Sequence, residues 1–438
     1  PYLEPWVPGS DAQMVVPARP GVVFALPGWD RFYPQILMAG GIDRSYQITR
    51  CFRRGSVSGP GAATERTVLE LTAAFFSVDD LIRTFEHLLG SVRAQLRRGP
   101  LDLPLSQITY ADAMEQYGTS QPDTRNDLVF KNLTKIVQGS GIDPLRTQSI
   151  PEGVVYALKL PEVGDLIDDD MLESACAAVE EMYTGPGSAH WYRIADDRGV
   201  RGPSAGELSS RSAGALRRSV EGEAGDVILA VASTNREATL AGAGTLRREF
   251  GKFLDRVDSG ALSILWVRDA PFFRAGVGDG EWKPVSSPRL MPDADQLESL
   301  RRPEIKGVLR AQSLELVLDG DTVAKGGVFN HDPAILRVVG RMAEDSDEAV
   351  EERFGPLLNA FRHGAPPHAV LRVDMDALLA LMWQLGEHDP LAAFPKDDRG
   401  RDLWFGAPSP ADEEHLRSLL EPQETESEGE DEDDEADE

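Results

Sequence analysis

The chain has 438 residues, 41% apolar and 27% charged, with a formal net charge of −28. That composition supplies a sizeable core in two or three domains, and no apolar run approaches the roughly 18–20 residues of a membrane-spanning helix. The acidic balance argues against broad nonspecific nucleic-acid binding, and two cysteines, Cys51 and Cys176, are too few for a disulfide scaffold or a structural zinc site and fit a reducing cytoplasm.

In chain order, MVVPARPGVVFALPGW predicts a strand pair joined around Pro17–Gly21, FYPQILMAGG a helix ending at a glycine pair, and SYQITRCFR a strand. After a Gly/Ser/Pro/Ala loop at 55–63, TVLELTAAFF predicts another strand. Ser77 with Asp80 forms a capping box that opens a helix stopped by Gly99–Pro100. Leu81, Phe85, Leu88, Leu89, Val92 and Leu96 are expected to form its core face. From about 126 to 225 the periodicity weakens and Gly, Ser and acidic residues accumulate, which predicts an inserted module. DVILAVAS (226–233) then reads as a strand, with a helix around Leu246–Val257 and a strand in ALSILWVRD. LELVLDG predicts a strand and PAILRVVGRM a helix, and VLRVDMDALLALMWQL a strand running into a helix. Glu421 to Glu438 holds twelve acidic and no basic residues, leaving −16 on the rest; such a segment buries too little to order itself. Paired arginines at 53/54, 97/98, 217/218, 247/248 and 301/302 allow a basic face on an acidic body.

Motif chemistry is sparse. Neither Gly242–Gly244 nor Gly276–Gly280 follows a strand and opens a helix as a phosphate loop does. The seven histidines lack metal spacing, and there is no nucleophile elbow.

Read in order, the segments carry more. VVFALPGWDRFYPQILMAGGIDRSYQITRCFR resembles the bacterial aspartyl-tRNA synthetase stretch that runs through a Leu-Pro-Gln-Ser-Pro-Gln turn into the second class II motif. YADAMEQYGTSQPDTRNDL, LWVRDAPFF, SLELVLDG, FGPLLNAFRHGAPPHA and AFPK recur in that family's order, over roughly residues 1–125 and 226–418. The resemblance implies an α+β fold: a class II core of mainly antiparallel sheet flanked by helices (1–125 and 226–420), an inserted α+β domain (126–225) and a disordered acidic tail (421–438). Pro1 falls on the first class II motif's proline, the point before which the family carries a motif helix and an anticodon-binding barrel.

Activating aspartate requires cations on ATP phosphates and on both aspartate carboxylates, a carboxylate for the amino group, and acidic residues for magnesium. Against the family pattern, the amino-group glutamate is Gly9, and the glutamine and lysine that hold the substrate are Arg31 and Pro34. The arginine for the side-chain carboxylate is Phe329. Arg53 stands at the arginine touching the α-phosphate, but the adenine-side glutamate is Gly55. The third motif reads Asp374-Met375-Asp376-Ala377, so its phosphate-clamping arginine is lost at Ala377. Of two metal-holding acidic positions one is Glu315 and the other Thr322, and two histidines become Trp282 and Lys283. Arg53, Asp123, Arg125, Glu315 and His331 are retained in type, which fold-maintaining ion pairs explain better than vestigial binding does.

The expected function is therefore a synthetase-like paralogue that no longer activates aspartate and binds RNA or a protein partner. It is expected to need no cofactor, to lie in the cytoplasm away from membranes, and to form a homodimer as the class II core does. Two enzymatic alternatives use ATP and magnesium. One is a ligase whose remodelled pocket takes another carboxylic acid with Arg31 supplying the cation; the other is a divergent aspartate–tRNA ligase.

Overall fold

The computed structural model describes every residue except 1, 7–14, 20–21, 30, 53–64, 97–99, 141–152, 164–165, 184–185, 196–198, 259, 276–281, 345, 384–393, 395–396, 398–400, 411 and 413–438. The predicted acidic tail, Gly9, Arg53 and Gly55 lie outside the described residues. Among the described residues no helix is long and apolar enough to cross a membrane. The chain divides into two compact units, one of Pro1–Tyr33, Ile48–Val68 and Met375–Glu438, the other of Pro34–Gln47 and Leu69–Asp374. These cut across the sequence segments 1–125, 126–225 and 226–420, because strand pairing joins stretches remote in the chain.

A seven-stranded sheet runs in the order Arg44–Phe52, Glu65–Ala74, His368–Asp374, Asp321–Phe329, Ser313–Leu318, Ile264–Arg268, Ser106–Thr109. From His368–Asp374 to Ile264–Arg268 the pairs are antiparallel, and the last pair is parallel. Its central hairpin turns at Asp319–Gly320, both at positive φ (47° and 93°), which places a left-handed pair where a two-residue turn matches strand twist.

Helix Val78–Gln95 begins at the predicted capping box, with Asp80 N–H donating to the Ser77 hydroxyl and Ser77 N–H donating to the Asp80 carboxylate. Its buried face differs from the expected one: Val78, Leu81, Ile82, Phe85, Glu86 and Leu89 are buried, while Leu88 and Val92 are exposed. The stripe is turned toward Glu86, whose carboxylate accepts from Trp266 Nε1 and Leu105 N–H, both at 3.0 Å. A satisfied polar group can occupy the core where an apolar one is expected.

The inserted segment forms a five-stranded antiparallel sheet ordered Phe130–Asn132, Val154–Leu160, Val227–Ser233, Gly187–Ile194, Val200–Arg201. The sheet therefore runs past residue 225, with Val227–Ser233 as its middle strand rather than a strand of the core. All seven of its residues are buried. Val227, Leu229 and Val231 pack with helices Asp169–Glu180 and Arg236–Phe253 on one side, and Ile228, Ala230 and Ala232 pack with Leu133 and Leu216 on the other. A continuous apolar run covered on both faces behaves in this way.

Tyr192 is fully buried in this second cluster, and its hydroxyl has no partner among the described residues. Tyr156, equally buried, donates its hydroxyl to Glu115 Oε2 at 2.6 Å. Tyr192→Phe is expected to hold or raise stability by about 1 kcal/mol, and Tyr156→Phe to lower it by a similar amount. Urea midpoints check this; equal losses in both variants would mean that the Tyr192 hydroxyl is bonded.

Candidate functional site

The site residues expected from sequence fall in both units.

In the first unit, Glu4 exchanges backbone hydrogen bonds with Ala25, extending the Val15–Arg19/Val22–Ala25 ribbon. Arg31 is buried and donates from Nε to Glu4 Oε1 at 2.9 Å and from Nη1 to the Thr49 hydroxyl at 3.4 Å. A guanidinium committed to a buried carboxylate ties down the ribbon. Asp376, in helix Met375–Trp383, accepts from Thr67 N–H at 3.2 Å, and Ala377 follows it as a half-buried methyl group.

In the second unit, polar residues cross one face of the large sheet in a row. Glu315 lies opposite Lys325, and Lys325 opposite Arg372, so all three side chains share a face. Lys325 Nζ donates to Glu315 Oε1 at 3.1 Å, and Arg372 meets the buried Glu70 at 2.8–2.9 Å. Gln47 Nε2 donates to the other Glu70 oxygen at 2.7 Å. Glu315 Oε2 accepts from Thr322 Oγ1 at 3.2 Å, and that hydroxyl accepts from Gln121 Nε2 at 2.7 Å.

Asp123 and Arg125 stand at the hairpin turn. Arg125 grips Asp123 with two bonds of 2.8–2.9 Å and reaches Asp319 of the turn at 3.0 Å. The Asp123 bonds and the charges of Asp319 and Asp123 push the guanidinium above its ordinary range, and burial pushes the Asp319 carboxyl up. Both retained residues thus brace the turn.

Phe329 ends its strand buried, 2% exposed. The Arg289 guanidinium carbon lies 5.2 Å from its ring centroid and that of Arg372 5.6 Å, with the His368 ring stacked at 6.3 Å. Arg289 is completely buried, and burial, with Arg372 and Arg353 nearby, pushes its guanidinium well below its ordinary range. A directed chain leads away from it. Arg289 Nη1 donates to Gln35 Oε1 at 2.7 Å, and Gln35 Nε2 lies 3.0 Å from His368 Nε2. His368 Nδ1 lies 2.9 Å from the Pro366 carbonyl. With Gln35 oxygen facing the guanidinium, its amide donates to Nε2 and the imidazole carries its proton on Nδ1.

His331 is half-buried beside the fully buried Asn330, whose backbone N–H bonds the Arg289 carbonyl. Trp282 and Lys283 lie exposed in a short ribbon with Phe273–Ala275. Pro34 is buried in the first turn of helix Tyr33–Ala39. The structure thus joins Phe329 to Arg289, Gln35, His368, Arg372 and Glu70, five residues the sequence reading did not single out. Two of them had a signal, since Glu70 and Arg372 are charged residues inside otherwise apolar strand runs.

Burial pushes the His368 imidazole down to about 4 from 6.5, with the Pro366 hydrogen bond opposing and the charges of His331 and Arg289 reinforcing the shift. Below pH 6.5 the unfolded chain binds a proton that the folded chain refuses until about pH 4. This site therefore costs stability as pH falls from 6.5 to about 4 and contributes no pH dependence above 6.5. His368→Gln is expected to remove that component, by up to about 1.4 kcal/mol per pH unit. Chemical denaturation at a series of pH values checks it, and an unchanged slope would contradict the neutral imidazole.

Residues 1–398 match the family described as class II tRNA synthetases (D, K and N). The chain is 29% identical over 422 residues to the aspartate–tRNA(Asp/Asn) ligase of Geobacillus sp. (strain WCH70). It is 28% identical over 421 residues to the ligase of that name from Bacillus mycoides (strain KBAB4), and 28% over 422 residues to the aspartate–tRNA ligase of Porphyromonas gingivalis (strain ATCC BAA-308 / W83). Each alignment covers 96% of this chain and 70% of the relative. The family match, which spans nearly the whole chain, makes this protein a member of the class II tRNA synthetases of the D, K and N group.

Proposed function

We propose that this synthetase-family protein does not activate aspartate and acts by binding RNA. One observation carries the reading. Phe329, at the position the family gives to the arginine for the substrate carboxylate, is buried and enclosed by Arg289, Arg372 and His368. An apolar ring cannot answer a carboxylate, and Arg372 is already neutralised by Glu70. Arg31 is likewise engaged by Glu4, and Ala377 offers a methyl group where a phosphate clamp is needed. RNA is the favoured partner because the relatives are named for tRNA; a protein partner is the other outcome of a binding screen.

Aspartate-dependent pyrophosphate exchange is expected to be undetectable, since each missing preorganised contact costs about 10²–10³ in rate. Ala377→Arg alone should not restore it. Exchange at ordinary synthetase rates would overturn the reading.

The homodimer is part of the proposal. Tyr46 and Ile48 project from the sheet's edge strand, 76% and 62% exposed, and exposed apolar surface of this kind marks an interface. Light scattering is expected to give the mass of two chains, and Tyr46→Asp with Ile48→Asp the mass of one. A monomeric parent chain would refute the dimer.

A further inference from the structure

The family resemblance assigns magnesium to positions 315 and 322, and the side chains present do not fit it. Magnesium requires near-octahedral oxygen ligands at about 2.0–2.1 Å. Here both Glu315 oxygens are engaged, one by the Lys325 ammonium at 3.1 Å and the other by the Thr322 hydroxyl at 3.2 Å. That hydroxyl oxygen in turn accepts from Gln121 Nε2. Asp319, at the turn of the same hairpin, and Asp123 beside it flank Arg125. Among the described residues no group of three metal-binding side chains occurs.

We propose that Lys325 is a resident cation on this face of the sheet and that the face recognises phosphate groups through its ammonium without a divalent metal. Lys325 lies directly opposite Arg372 on the neighbouring strand, a like-charge pairing that is unfavourable unless anions flank it. Glu315 and Glu70 flank it on the outer sides. The Lys325 side chain is 51% exposed, and its ammonium has three donors, one directed to Glu315. Ion pairs this exposed are weak, so a phosphate bearing more charge than a carboxylate competes for the ammonium. Magnesium in solution would neutralise such a ligand and weaken binding, the opposite of its effect at a metal site.

This extends the proposed function to the chemistry of the ligand and rests on it only for the placement of the site. The test reads binding alone, so the two can fail separately. The full chain is titrated calorimetrically with ATP, inorganic tripolyphosphate and a short oligoribonucleotide, each in EDTA and in millimolar magnesium. At least one probe is expected to bind in EDTA, no more tightly with magnesium present. Lys325→Ala should weaken it about tenfold or more and Lys325→Arg retain it. Glu315→Gln, which frees the ammonium, should leave binding unchanged or tighter, whereas at a metal site it would abolish it. Binding of ATP or tripolyphosphate identifies a free polyphosphate ligand, and binding of the oligoribonucleotide alone identifies an RNA backbone phosphate. The proposal fails if every probe needs magnesium, if none binds, or if Lys325→Ala, verified as folded by circular dichroism, binds as the parent does.

Discussion

The buried ion pair between Arg372 and Glu70 constrains more of the structure than any other contact. A guanidinium removed from water requires a carboxylate and further acceptors held in fixed geometry, and a buried pair missing one partner is strongly destabilising. Arg372 lies on His368–Asp374, toward the middle of the large sheet, and Glu70 on the neighbouring strand. Because side chains alternate faces, a one-residue slip of either strand would send one charge to the opposite face. The pair thereby fixes strand register, and with it the positions of Lys325 and Glu315 on one side and Gln47 on the other.

That register brings Phe329 opposite His368 and so assembles the buried cluster. The cluster is a packed core with polar members rather than an open receptor. Arg289, Gln35 and His368 are linked by hydrogen bonds in sequence, and the aromatic ring of Phe329 supplies favourable faces for two cations. The retained Asp123 and Arg125 serve the same architecture by bracing the Asp319–Gly320 turn. Asp123 and Arg125 thus serve structural chemistry, while Arg31 and Phe329 are buried among partners.

The inserted sheet solves the burial problem differently. Its middle strand, Val227–Ser233, is apolar on both sides and lies between two separate hydrophobic clusters. The large sheet keeps a charged row on one face; the inserted one needs none, because helices cover it on both sides.

The sequence by itself determined the elements and the family. The Ser77–Asp80 cap, the Pro17–Gly21 strand pair, the strand-to-helix passage at Asp374–Met375 and the collinear segments depend on local chemistry or order along the chain, and both are present in one dimension. It also singled out Phe329, Thr322 and Ala377. The tertiary structure alone decided which partners surround these positions. That Lys325 would answer Glu315, that Arg289 would reach Gln35 across 254 residues and Arg372 reach Glu70 across 302, follows from strand order and register. Those are set by which surfaces are buried together, and burial is a property of the whole fold that no local pattern encodes.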